Sequence, residues 1–250
     1  MPSSTRDASV AFHTQHFLNW LTFTNVKVIN GAKAHAIGTS KVLQNALFAK
    51  LGLDFPKAIA LYKIEDVEVA VDKIGFPVIV KPNVGGSGSD IVKYKTQASL
   101  NKDIAQGNLT LGVDSTGLAQ EFIESDGYVY RVEILGDELF YSIRQKMIAS
   151  QFNYCAADGC SVDIDEDESE FEFCAEDDSS TIKLFDVSND ILQDVKNIVK
   201  SAEAEVGGVE FFINIKTGAP CYYDFNPYSN FVSNGNALLG FSAEQRLLTI

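Results

Sequence analysis

Two acidic residues and an amide near the end of the chain have the types and spacing for metal chemistry. Residues 209–215 and 221–226 read as two strands around the turn Lys216-Thr217-Gly218. A turn centred on Thr217 sets Glu210 directly opposite Asp224, and Asn226, two residues further on, shares the face of Asp224. Opposed Cβ atoms on paired strands lie about 5 Å apart, and diagonal ones about 7–8 Å. Two carboxylates and an amide oxygen at that spacing form a hard-oxygen set suited to Mg²⁺, or to Mn²⁺, with phosphate and water completing the shell. Without a cation, like charges in register weaken a hairpin. The alternative is a solvent face on which exposure relieves the repulsion.

A second group of residues suits anion binding. Gly85-Gly86-Ser87-Gly88-Ser89 can bring backbone N–H groups and hydroxyls close to phosphate oxygens. No Gly-Lys-Ser/Thr follows it, so it is not a Walker loop, and it leads into a strand rather than into a dinucleotide-binding helix. A glycine flap between two strands remains, beside the plain alternative of a flexible hairpin loop. Lys81 ends the apolar run of residues 76–82 and can hold its ammonium against a phosphate, or reach past the strand end into water. Arg131 and Arg144 lie on successive strands of another hairpin, and either can stabilise transferred phosphoryl charge.

Other candidate groups carry less. The cysteines at 155, 160, 174 and 221 form no CxxC pair and have no His at zinc spacing, so reduced thiols in a cytoplasmic protein are expected. His13, His16 and His35 lack a catalytic setting, and the first two are expected on the polar side of a helix. Asp163, Asp165 and Asp167 suggest a calcium loop, but Glu168 stands where the turn needs Gly and Cys174 where Glu is needed.

These residues need elements to position them. Helices are expected over residues 11–23, 40–51, 65–74 and 188–204, and over 243–250 at the end. In the second of these, Thr39 or Ser40 supplies the N-cap and Val42, Leu43, Ala46, Leu47 and Leu51 the apolar face. Gly207-Gly208 is expected to end the fourth. Strands are expected over 26–29, 76–82, 90–95 and 118–123, with a hairpin of 128–135 and 138–144 turning at Gly136-Asp137. Residues 158–180 have no period and read as a solvated acidic insertion, dispensable for nucleotide binding.

Composition narrows the class. With 250 residues, 46% apolar and 22% charged, the chain can bury a sizeable core. No apolar run reaches the roughly 18 residues of a membrane span. The net charge is −14, but ten acids lie between Asp163 and Asp178 with no Lys or Arg among them. Nucleic acid is a poor partner for so acidic a chain. A small-molecule partner suits it, and a homo-oligomer stays open.

The order of these pieces resembles the ATP-grasp superfamily, nearest to RimK-like carboxylate–amine ligases and more distantly to D-alanine–D-alanine ligases. The residues that carry the resemblance are Ser40-Lys41, residues 76–82 with Gly85 to Ser89, Gln120-Glu121-Phe122-Ile123, Gly208-Val209-Glu210 and Tyr223-Asp224-Phe225-Asn226. The resemblance implies an α+β ATP-grasp fold, two α+β subdomains gripping ATP. It divides the chain into 39–118 and 119–250, after a remnant (1–38) of a Rossmann-like domain. It implies ATP with Mg²⁺ as cofactors, Lys41 and Lys81 on the nucleotide, and Gly85 to Ser89 as the flap. Gln120 to Ile123 would be the strand whose backbone and acid read adenine, with Glu124 or Asp126 near the ribose. Glu210, Asp224 and Asn226 would be the metal ligands, and Arg144 and Arg131 the catalytic arginines. The implied activity joins a small-molecule or peptide carboxylate to an amine through an acyl phosphate. An ATP-grasp kinase and a non-catalytic ATP-binding module stay open beside it.

Overall fold

The computed structural model describes residues 7–85, 90–147, 182–228 and 238–247. Two antiparallel sheets dominate it. The first takes β1 (Ala58–Leu61), β2 (Val78–Pro82), β3 (Val92–Tyr94) and β4 (Gly117–Glu121) in the order β1-β4-β2-β3. The second takes β5 (Tyr128–Leu135), β6 (Glu138–Lys146), β7 (Lys183–Leu184), β8 (Val206–Ile213) and β9 (Pro220–Asn226) in the order β7-β6-β5-β8-β9.

Each sheet buries one face under helices. On the first, α4 (Asp66–Ile74) and α5 (Gln97–Gln106) supply Val67, Ala70, Val71 and Leu100 to a core with Val78, Val80 and Ala119. Strand alternation therefore turns Ile79 and Lys81 to the other face. On the second, α3 (Lys41–Lys50) and α6 (Asn189–Ser201) pack Leu47, Phe48, Val195, Ile198 and Val199 against Val132, Val209, Phe211 and Phe225. Its other face carries Arg131, Glu210 and Asp224. Helix α3 was expected with the first subdomain but shares the core of the second sheet, and β4 spans the 118/119 division.

The α6 cap is a testable local feature, since the Ser188 hydroxyl accepts from the Ile191 N–H. Ser188→Ala should cost about 1 kcal/mol of stability, read by denaturant unfolding.

The structure differs from the sequence reading in several elements. Residues 26–29, which follow helix α1 (Ala8–Leu21), form no strand, and Val26 and Ile29 are exposed, so the strand expected of a Rossmann-like remnant is not found there. An apolar run without a partner strand has no ladder to join. In α1 no residue is fully buried, and Phe12 and Trp20 face outward beside His13 and His16. Helix α2 (Ala32–Thr39), β1 and α5 were not expected. The buried stripe of α3 is Gln44, Leu47 and Phe48, while Leu43 is exposed. Helix α6 ends at the Ala202 C-cap, and Gly207-Gly208 lies inside β8 instead of ending it. At the end of the chain α7 (Ala243–Leu247) forms within the expected helix. The acidic insertion, Cys155, Cys160 and Cys174 lie outside the described residues.

Candidate functional site

The hairpin of β8 and β9 sets the floor of the site. Glu210 pairs with Asp224 and Gly208 with Asn226, so the three oxygen-bearing residues share one face. The route to this register is unexpected. The loop pairs Ile213 with Pro220 and Phe211 with Tyr222, and a bulge between Glu210 and Phe211 then restores Glu210 to Asp224. Tyr223 is the extra residue, and its hydroxyl donates to Glu210 Oε2 at 2.9 Å.

Cations surround these acids. The Lys41 ammonium, at the start of α3, pairs with Asp224 Oδ1. Arg131 stands opposite Glu210 on β5, with its Nη1 3.4 Å from Glu210 Oε1. Burial pushes the Glu210 carboxyl above its usual pKa; Arg131 opposes that shift and Asp224 adds to it. Burial works against the Arg131 charge, but Glu133 and Glu210 outweigh it and hold its pKa above the usual value. Lys81 is buried, and desolvation lowers its pKa to about 7; Lys41 adds to the shift and Asp224 opposes it.

Four polar side chains from residues 30–44 fasten the end of β9 and the residues after it. Besides Lys41 on Asp224, the fully buried Gln44 donates to the Phe225 carbonyl at 3.0 Å and accepts from the Phe225 N–H at 3.3 Å. Asn30 donates to the Pro227 carbonyl, and His35 Nδ1 lies 2.9 Å from the Tyr228 hydroxyl. Asn83, just after β2, accepts from the Ser40 hydroxyl and the Val42 N–H. The start of α3 is thereby tied to the strand that carries Lys81.

The remaining nucleotide candidates divide by strand parity. Gln120 pairs with Ile79, so it shares the face of Lys81, as does Lys93 on β3. The Lys93 ammonium sits 3.3 Å above the Phe122 ring centroid, and burial lowers its pKa. Glu121 alternates to the other face, where its Oε1 accepts from the Lys57 N–H at 2.7 Å. Its carboxylate is thus engaged on the face away from Lys81. Asp126 accepts from the Tyr130 hydroxyl at 2.6 Å and the Tyr128 N–H at 3.3 Å, which fixes the start of β5. Ile123 follows β4 and Gly85 follows β2, and Gly86, Ser87, Gly88 and Ser89 lie outside the described residues.

Arg144 lies on the face away from Glu210 and Asp224. It pairs with Tyr130, whereas Arg131 pairs with Ile143, so the two arginines occupy opposite faces of the sheet. The Arg144 guanidinium lies over the Tyr128 ring, 5.1 Å from its centroid. Sequence reasoning missed Tyr223, Gln44, Lys93 and Glu133. Only Glu133 had a usable signal, its two-residue spacing from Arg131 on one strand.

The donor set fits a divalent cation. Among the described residues no three His, Cys, Asp or Glu side chains gather as a metal cluster; here two are carboxylates and the third donor is an amide. A buried carboxyl raised in pKa by burial and by a facing acid is stabilised by a cation placed between them.

Comparison with known proteins gives the family and the fold. The RimK-like ATP-grasp domain model matches residues 38–217. A D-alanine–D-alanine ligase of Chromohalobacter salexigens is 30% identical over 125 residues, covering 50% of this chain and 38% of that protein. One from Nitrosospira multiformis is 28% identical over 127 residues, covering 51% and 40%. The match thus spans less than half the length of these relatives. Among solved structures, the ATP-grasp ligase PsnB complexed with minimal precursor superposes with a TM-score of 0.63 at 16% identity, covering 96% of this chain and 68% of PsnB. A D-alanine–D-alanine ligase from Bacillus anthracis gives 0.63 at 19% identity, covering 96% and 71%. At such identities the superpositions speak for the fold, a mixed helix-and-sheet ATP-grasp architecture. With the family match covering more than half of its length, the chain belongs to the RimK-like ATP-grasp family.

Proposed function

We propose that this protein uses Mg²⁺-ATP to join a carboxylate to an amine through an acyl phosphate. The observation that carries the reading is the in-register pair Glu210 and Asp224, with Lys41 on one acid and Arg131 on the other. In the first step a substrate carboxylate oxygen bonds to the γ-phosphorus of ATP and ADP leaves. In the second the amine nitrogen bonds to the acyl carbon, inorganic phosphate leaves with its oxygen, and the amine loses a proton. Lys41 and Lys81 hold phosphate oxygens as charged donors. Arg131 faces the charge that develops on the transferred group. Glu210, Asp224 and Asn226 would hold Mg²⁺, or Mn²⁺ in its place. The bound ion neutralises phosphate charge.

The substrate class follows the names of the relatives. PsnB was solved with a precursor peptide, and the curated relatives are D-alanine–D-alanine ligases, so small-molecule and peptide carboxylates and amines are the first substrates to try. No helix among the described residues is long and apolar enough to cross a membrane. A cytoplasmic site, where ATP is abundant, suits the reading.

The test is a screen of amino acids and short peptides for ADP and phosphate release. We expect release that needs a carboxylate and an amine together. Release of ADP with a hydroxyl compound and without free phosphate would instead mark a kinase. ATP binding with no release under any pair would mark a binding module.

A further inference from the structure

The proposed chemistry does not require a third carboxylate beside Glu210, yet the site contains one. Glu133 lies two residues from Arg131 on β5 and on the same face, and it is fully buried. A buried carboxylate is costly unless paired and hydrogen-bonded. Its partner is Arg131, whose Nε donates to Glu133 Oε1 at 2.6 Å, while Nη1 reaches Glu210 Oε1 only at 3.4 Å. The guanidinium is therefore shared unequally, with the closer and stronger bond on Glu133.

The facing strand is shaped around this pair. Gly208 stands opposite Glu133 in the register of β5 and β8. A Cβ at that position would lie 2.5 Å from Glu133 Oε1 and 3.0 Å from Arg131 Nε. Any side chain there would displace the carboxylate from the guanidinium. Glycine weakens a strand interior, so its presence here marks the room that the pair needs.

We propose that Glu133 is a positioning residue that takes up the charge of Arg131, leaving Glu210 free to share a divalent cation with Asp224. The proposal rests on reading Glu210, Asp224 and Asn226 as the cation ligands. The electrostatics are simple. With Glu210 as the only acid in reach, Arg131 would neutralise it and hold a positive charge beside the cation. With Glu133 present, the Arg131–Glu133 pair is neutral as a unit and Glu210 keeps its negative charge. A hard cation needs that charge.

The experiment titrates Mn²⁺ calorimetrically into the full chain in the presence of ADP, with a thermal melt of each variant. Glu133→Gln keeps the size of the side chain and an oxygen for Arg131 Nε but removes the charge. It should weaken Mn²⁺ binding about tenfold, the usual scale for a residue that supports a ligand from behind. ADP affinity without metal should be unchanged. Adding Arg131→Gln to that variant should restore Mn²⁺ binding, and it also removes the unpaired buried charge if Glu133→Gln alone folds poorly. Mn²⁺ binding by Glu133→Gln at wild-type strength, with Asp224→Asn impaired, overturns the proposal and leaves the cation site standing. A loss that persists in the double variant overturns it too, because Glu133 would then be only a structural support. If the wild-type chain binds no Mn²⁺ while Asp224→Asn behaves identically, the cation-site reading falls and takes this proposal with it.

Discussion

Replacing Asp224 with Asn is expected to lower magnesium-dependent ADP release by about 100-fold or more while the chain stays folded. Loss of a residue that merely supports a metal ligand already costs on the order of 10–100-fold, and loss of one preorganised electrostatic group costs about 100–1,000-fold. Asp224 is read as a ligand itself, so the larger scale applies. Stability should move little. The substitution removes a carboxylate that faces Glu210 and helps to push its pKa upward, while it also removes the partner of Lys41. Both Lys41 and Asp224 side chains are about a quarter exposed, so their ion pair is partly screened. Thermal melts beside an ADP-release assay separate the outcomes. Retained release with a lower melting temperature would make Asp224 a structural acid and remove the metal site.

Lys81→Met should weaken ATP binding by roughly 1–3 kcal/mol, the scale of a charge-assisted hydrogen bond lost from a buried site. The wild-type protein should also take up a proton when it binds ATP. Desolvation holds the Lys81 pKa near 7, with Lys41 adding to the shift and Asp224 opposing it, so above neutral pH the ATP-free side chain is largely uncharged. A phosphate oxygen beside it favours the ammonium and raises the pKa again. Affinity should therefore fall as pH rises above about 7, and the fall should vanish in Lys81→Met. Calorimetry in buffers of different ionisation enthalpy reads the proton directly. For the ATP-free chain the sign is opposite. The unfolded chain binds more protons at this lysine between about 7 and its ordinary value of 10.5, so the Lys81 contribution makes stability rise with pH across that window. An affinity that is flat from pH 7 to 9 in the wild type would return Lys81 to the role of a strand-end lysine.

Much of the second sheet was legible because its strands are long and alternate. The Glu210–Asp224 pairing came from counting along a hairpin, although the count was right only because a bulge at Tyr223 compensates for a turn centred half a residue earlier. The bulge that was not foreseen in the other hairpin had the opposite effect. An unbroken ladder from the Gly136-Asp137 turn would set Arg131 and Arg144 on one face. The irregularity between Glu133 and Ile134 shifts the register by one and sends Arg144 to the far side. Short elements were lost for another reason. β1 has four residues and α2 has no side-chain cap on Gly31, so neither carries a pattern long enough to stand out. Helix α5 had both its signals, Thr96 as N-cap and the left-handed Gly107 at its end, and was overlooked because few apolar residues lie between them. Gln44 was illegible in principle: an amide buried where Leu43 was expected makes sense only once Phe225 is seen beside it.

The bonds from Gln44 to Phe225 have a consequence beyond the site. β9 is the outermost strand of its sheet, and an open row of backbone donors and acceptors there would be a template on which another chain could add. Here the outward N–H and C=O of Phe225 are taken by one side-chain amide, and the Tyr222 N–H is taken by the Asp54 carbonyl at 2.9 Å. The border of the sheet is sealed by a helix and the loop that follows it. The strand that bears Asp224 is thus also guarded against edge-to-edge aggregation.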